Sequence, residues 1–206
     1  NSSAGTGVGT LSAVDPEGDS TSLSLVGGTG ASNFDISNNQ LVVKTGANIN
    51  YENGGSAPTV IIRAKDDDGL TYDQTLTLAV SDVNEAPTAA NKTLTINEDN
   101  THTFIKKDFG FQDVDAGDIL THITVKSLPA KGSLTLNGAA VSVDQAIAVA
   151  DITNSKLAFT PAANESNLNY ASFNFTVSDG DLSSSAQSIT FNVSAVNDAP
   201  TAITPS

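Results

Sequence analysis

The sequence predicts an all-β chain folded as two β-sandwiches in tandem. Three observations carry that expectation. Apolar and polar residues alternate over short segments, turn residues separate those segments at intervals of about 8 to 12 positions, and one ten-residue phrase occurs twice. The phrase is VSDVNEAPTA at residues 80–89 and VSAVNDAPTA at residues 193–202, 113 positions apart. Eight of its ten residues are identical; Asp82 stands against Ala195 and Glu85 against Asp198. A short, strict repeat of this kind reads as a joint between modules. It places one domain at residues 1–86, a second at 87–198, and the start of a linker to a following repeat at 199–206.

In chain order, the first module offers TSLSL (21–25), NFDI (33–36) and QLVVK (40–44) as short strands. It then closes on two longer ones, with Val60, Ile62 and Ala64 forming one inward row and Leu76, Leu78 and Val80 the other. The second module repeats the plan with KTLTI (92–96), HTFI (102–105), ILTHITV (119–125), GSLTL (132–136), AVSV (140–143) and KLAFT (156–160). Its closing pair carries Phe173, Phe175 and Val177 against Ile189, Phe191 and Val193. Turns at Gly69 and Gly180 make each closing pair a hairpin. Residues 145–152, QAIAVADI, suit a single helical turn, and no long helix is expected.

Composition narrows the function. The 206 residues include no Cys, which removes disulfides, thiolate metal sites and Cys nucleophiles together. A secreted domain of this size without disulfides needs another staple, and bound cations are one. Net charge is −14, shared as −8 over residues 1–87 and −6 over 88–206. Such acidity opposes binding to nucleic-acid phosphates or anionic membranes, and no apolar run approaches the ~20 residues of a spanning helix. The chain starts at Asn1 and contains no Met, so it reads as an excised fragment of a longer protein.

The acids gather at turns: Asp15, Glu17 and Asp19; Asp66, Asp67 and Asp68; Asp113, Asp115 and Asp118; Asp179 and Asp181; and the joints. Any one such loop is ordinary turn chemistry. Were several to meet at one end of a sandwich, carboxylates ~4–6 Å apart would repel by about 1 kcal/mol per pair in water and would call for a cation. Calcium fits an all-oxygen, carboxylate-rich set; zinc wants His or Cys, and magnesium fewer carboxylates with more water. The two His, His102 and His122, read as exposed strand residues. Tyr51 and Tyr170 read as packing against the sandwich.

The phrases AVDPEGD, FDISNNQLVV, INYEN, AKDDDGL and DVNEAP occur in that order over residues 13–87 and resemble a cadherin repeat. FQDVDAGD, KLAFTPAANE, FNFTVSDGDL and AVNDAPTA resemble the cadherin-like domains strung in tandem in large bacterial surface adhesins, including the repeats-in-toxin type. The resemblance implies Greek-key, cadherin- or Ig-like sandwiches with two or three calcium ions at the junction between repeats. Carried onto this sequence, it assigns the junction to Glu52, Asp82, Asn84, Glu85, Asp113, Asp115 and Asp179. Weaker sites follow at the upstream end, Asp15, Glu17 and Asp66, and at the downstream end, Glu98, Glu165, Asn197 and Asp198. Departures from the family pattern stand at Asn50, Glu85 and Ala86, and Ala195 removes the leading acid of the second joint. The family also places a strand and a Glu ahead of residue 1, so the first module is expected to carry an open edge, with APTAITPS (199–206) of a neighbouring molecule as a strand-exchange partner.

The function this implies is a calcium-stiffened extender of an extracellular, cell-surface adhesin whose partners are neighbouring repeats of the same long chain. A calcium-dependent carbohydrate- or peptide-binding module is the alternative, weakened by the absence of Trp and the presence of only three Tyr. An enzyme is not expected: the sequence has no Gly-x-Ser-x-Gly elbow, His-Glu-x-x-His pair or phosphate loop.

Overall fold

The computed structural model describes residues 3–52 and 57–199. The chain divides into two compact units, Asn1–Asn84 and Glu85–Ser206, with the division inside the first joint phrase. Both units are all-β sandwiches.

The first unit contains β1 (Gly7–Thr10), β2 (Ser22–Gly27), β3 (Phe34–Ser37), β4 (Gln40–Val43), β5 (Thr59–Lys65) and β6 (Thr71–Thr77). They form two antiparallel three-stranded sheets, ordered β1-β4-β3 and β2-β5-β6. A two-residue turn joins β3 to β4, with Asn38 and Asn39 both left-handed at φ 49° and 57°. That twist matches the strands it connects, and Asn tolerates the conformation. The alternation places Val60 and Ile62 of β5 against Phe34, Leu41 and Val43 of the other sheet. These five are the buried apolar side chains among the described residues of the unit; Leu76 and Leu78 pack on them while remaining half-buried.

The second unit contains β7 (Lys92–Asn97), β8 (His102–Thr103), β9 (His122–Val125), β10 (Ser133–Leu136), β11 (Ala139–Ala140), β12 (Ala146–Ala148), α1 (Val149–Thr153), β13 (Leu157–Thr160), β14 (Asn167–Ser178) and β15 (Gln187–Ser194). One sheet runs β12-β9-β14-β15-β7 and the other β11-β10-β13-β8. The pairing is antiparallel except that β7 lies parallel to β15, in register from Ile189↔Lys92 to Ser194↔Asn97. Among the described residues nineteen buried side chains fill its core. Phe159 and Phe191, from opposite sheets, stack with ring centroids 3.9 Å apart, and Phe104 and Phe173 meet edge to face. Gly132 is required where it stands: its φ is +71°, and a Cβ there would lie 2.6 Å from the Thr160 carbonyl oxygen.

Several expected elements differ in extent. HTFI pairs only at His102–Thr103, because the chain then enters a 3-10 turn, Lys106–Phe109, held by Asp108 Oδ2 accepting the Ile105 N–H at 3.0 Å. QAIAVADI divides into β12 and the five-residue α1. The reading of His102 as an exposed strand residue is corrected: its Nε2 lies 3.1 Å from Asp108 Oδ2, and Lys92 Nζ lies 2.7 Å from Asp108 Oδ1. Asp108 is 4% exposed at its side chain, so this buried carboxylate ties β7, β8 and the 3-10 turn together. Tyr170 packs into the core and donates to Glu165, whereas Tyr51 is 39% exposed. Residues 200–206, which hold most of the tail assigned to strand exchange, lie outside the described residues.

Candidate metal centre

In the second unit three carboxylates converge. Asp113 and Asp118 come from the loop before β9, and Asp179 from the turn between β14 and β15; each offers an oxygen within 4.8 Å of the others. Backbone amides fix the side chains. Asp113 Oδ1 accepts from the Asp115 N–H at 3.1 Å, and Asp179 Oδ1 accepts from the Asp181 and Leu182 N–H groups, both at 2.7 Å. Asp115 Oδ2 accepts from the Glu85 N–H at 2.7 Å, fastening the joint phrase to the same loop. In the Asx turns of Asp113 and Asp179 one carboxylate oxygen accepts the local backbone N–H groups and so sets the orientation of the side chain.

The free oxygens are informative. Among the described residues Asp113 Oδ2 and Asp115 Oδ1 are buried with no hydrogen-bond partner. An ionised oxygen withdrawn from water without a donor is costly, by about 1–3 kcal/mol for a polar atom and more for a charged one. A cation supplies the missing partner. Mutual repulsion is visible at Asp118, whose pKa is raised by desolvation and then by the charges of Asp113, Asp115, Asp179 and Asp181. The donor set is hard oxygen throughout, with no Cys in the chain, and so fits calcium.

The first unit carries comparable groups. Carboxylate oxygens of Glu52 and Asp82 lie within 4.8 Å of each other, and Glu52 Oε1 is buried without a hydrogen-bond partner among the described residues. Asn84 follows at the end of the unit and is exposed. At the upstream site, Asp15 Oδ1 accepts the Glu17 and Asp19 N–H groups, and Asp66 Oδ1 accepts the Leu70 N–H at 2.8 Å. Asp15 thus repeats the capture made by Asp113, and Asp66 that made by Asp179. Glu17 is exposed.

The downstream residues are arranged differently. Glu98 is buried and its Oε1 accepts the Val196 N–H at 2.7 Å, but Glu165 Oε2 is engaged by Lys131 Nζ and the Tyr170 hydroxyl, both at 3.0 Å. Those two partners lead the causes that hold the Glu165 pKa below its ordinary value. Asn197 and Asp198 are exposed. Asp118 is the member of the cluster absent from the sequence-derived ligand set; the spacing Asp-x-Asp-x-x-Asp from 113 to 118 was its available signal.

Comparison with known proteins agrees with the fold. Among solved structures, human protocadherin-24 EC1-2 is similar with a TM-score of 0.56 at 15% identity, covering 90% of this chain and 85% of that one. Human CDH23 EC21-23 gives 0.52 at 16% identity, with 94% and 69% covered. Mouse cadherin-23 EC22-24 gives 0.51 at 20% identity, with 95% and 60% covered. No curated protein matches the chain. The family described as bacterial Ig domain matches residues 84–192, which hold the whole of the Asp113, Asp118 and Asp179 cluster. That match spans more than half of the 206 residues, and the chain belongs to the bacterial Ig domain family.

Proposed function

We propose that this chain is a calcium-stiffened extender segment of an extracellular, cell-surface adhesin. The observation that carries the reading is the set of buried, unpartnered carboxylate oxygens, Asp113 Oδ2 and Asp115 Oδ1, beside the convergence of Asp113, Asp118 and Asp179. Calcium bound there would cancel their repulsion and take the place of the absent donors. Asp113, Asp115, Asp118 and Asp179 would hold it in the second unit, while the Asx turns orient the carboxylates. The cadherin-repeat resemblance supports the further step that Glu52, Asp82, Asn84 and Glu85 of the joint region bind the same ions, two or three in number. Calcium would then convert the joint phrase from a hinge into a rigid connection between neighbouring repeats of a long chain.

Differential scanning calorimetry of the whole chain in 1 mM calcium and in EDTA tests the proposal. A ligand present at about 100 times its Kd stabilises by about 2.7 kcal/mol. At roughly 4 °C per kcal/mol for a domain of this size, the transition should rise by about 10 °C. Identical melts in the two buffers would overturn the reading.

A further inference from the structure

We infer that Lys131 is the resident cation of the second joint: its ammonium holds Glu165 in the place that the cadherin resemblance gives to calcium, and so closes that joint to the metal. This deepens the calcium reading, on which the contrast between the two joints rests.

The two units are in step where they approach their joints. An offset of 113 residues relates Val80 to Val193, Glu52 to Glu165, Asp66 to Asp179 and Asp82 to Ala195. The neighbours of Glu165 place it at the joint end of the second unit: the Asn164 N–H donates to Asp99 Oδ1 at 3.4 Å, and Asn167 pairs with Val193. Glu98 lies at the same end. Its N–H donates to the Ser194 carbonyl and its Oε1 accepts the Val196 N–H at 2.7 Å.

The residues gathered there do not fit a calcium ion. Glu52 Oε1 is buried without a hydrogen-bond partner, whereas among the described residues the second joint has no such oxygen. Glu165 Oε2 accepts from the hydroxyl of buried Tyr170 and from Lys131 Nζ, each at 3.0 Å. The hydroxyl is itself fixed by accepting the Ala162 N–H at 3.0 Å, and the Lys131 ammonium lies 5.4 Å from the centroid of the Tyr170 ring. A carboxylate and an aromatic face therefore hold the cation together. An exposed ion pair of this kind adds little stability. Its consequence is for competition: a calcium ion on Glu165 must expel the ammonium or stand beside it as a like charge. The acid that would offset that exchange is missing, because Ala195 stands where the first joint has Asp82. Among the described residues no group of three carboxylates within 4.8 Å includes Glu98, Glu165 or Asp198. Each joint phrase thus carries a different cation, and the second is neutralised at any calcium concentration.

Amide NMR of the whole chain during a calcium titration to 10 mM tests the inference. In the parent the Ala162, Glu165 and Val196 signals should stay in place while those of Asp115, Asp181 and Leu182 move. A195D restores the leading acid but keeps the ammonium. In K131Q/A195D the Ala162, Glu165 and Val196 signals should move, with a midpoint at least tenfold below that of A195D. Movement of those three signals in the parent at the calcium concentration that moves Asp115 would overturn the inference. So would equal midpoints in A195D and K131Q/A195D, or no movement in either. Silence at Asp115, Asp181 and Leu182 with the K131Q/A195D response intact would refute the calcium reading of the first joint and uphold the role of Lys131.

Discussion

Replacing Asp113 by Asn separates the two roles of the acidic cluster. Asn keeps a carbonyl oxygen for the Asp115 N–H, so the Asx turn survives, while one negative charge leaves the group. Two unit charges 4.8 Å apart repel by about 0.9 kcal/mol in a water-like dielectric and by more where the pair is screened less, so the Asp113–Asp179 pair alone supplies that much destabilisation in the metal-free state. In EDTA the variant should therefore melt higher than the parent, by about 4 °C per kcal/mol relieved. In calcium the sign reverses, because a ligand oxygen of full charge has been replaced by a neutral amide. The difference between calcium and EDTA melts should shrink to less than half of its parental value. Calorimetry in the two buffers reads both effects. A variant that shifts equally and in the same direction in both would refute the reasoning, since a purely structural Asp113 has no cause to respond to calcium.

Other outcomes follow from the same groups. Phe191→Ala empties the stacked centre of the second core and should cost about 3–5 kcal/mol, lowering that unit's transition by roughly 12 °C or more in thermal melts. Asp108→Ala leaves Lys92 without its carboxylate and removes the acceptor for the Ile105 N–H; with this buried anchor lost, chemical denaturation of the second unit should show a loss of about 3 kcal/mol. Acid acts in two directions on the metal-free chain. Burial pushes the Asp108 pKa up, but bonds from Lys92, the Ile105 N–H and His102 outweigh it and hold the value low, so its stabilisation is present above the unfolded carboxylate pKa and is lost as pH falls through the lowered one. Asp118 is raised, so the destabilisation it brings at neutral pH is relieved as pH falls through its raised value toward the ordinary carboxylate range; melts in EDTA should rise slightly over that window and fall once pH drops below the ordinary carboxylate pKa of about 4.

The closing hairpins were legible because their alternation is long. In β14 and β15 the inward row holds Phe173, Phe175 and Val177 against Ile189, Phe191 and Val193, so period two dominates any local preference. The 3-10 turn at Lys106–Phe109 was not, because it depends on a side chain, Asp108, that captures the Ile105 N–H and His102 nearby and Lys92 of β7, sixteen residues earlier. For the same reason His102 looked exposed: alternation assigns a face but does not report an ionic partner beneath it. Among the acids, Asp113 and Asp179 stood out by resemblance. Asp118 entered only with the fold, since its place beside them is set by the turn at Gly117, where φ is +109°, and by its N–H donating to the Asp115 carbonyl. Glu165 shows the opposite case: it sits at a family position, yet Lys131 and Tyr170 hold its Oε2.

Calcium titration of the whole chain by isothermal titration calorimetry tests the central claim most directly. The account gives saturable binding of two or three ions with sub-millimolar Kd, reduced at least tenfold at one or more sites by Asp113→Asn. Heats no larger than dilution up to 10 mM calcium, or binding untouched by that substitution, would contradict it.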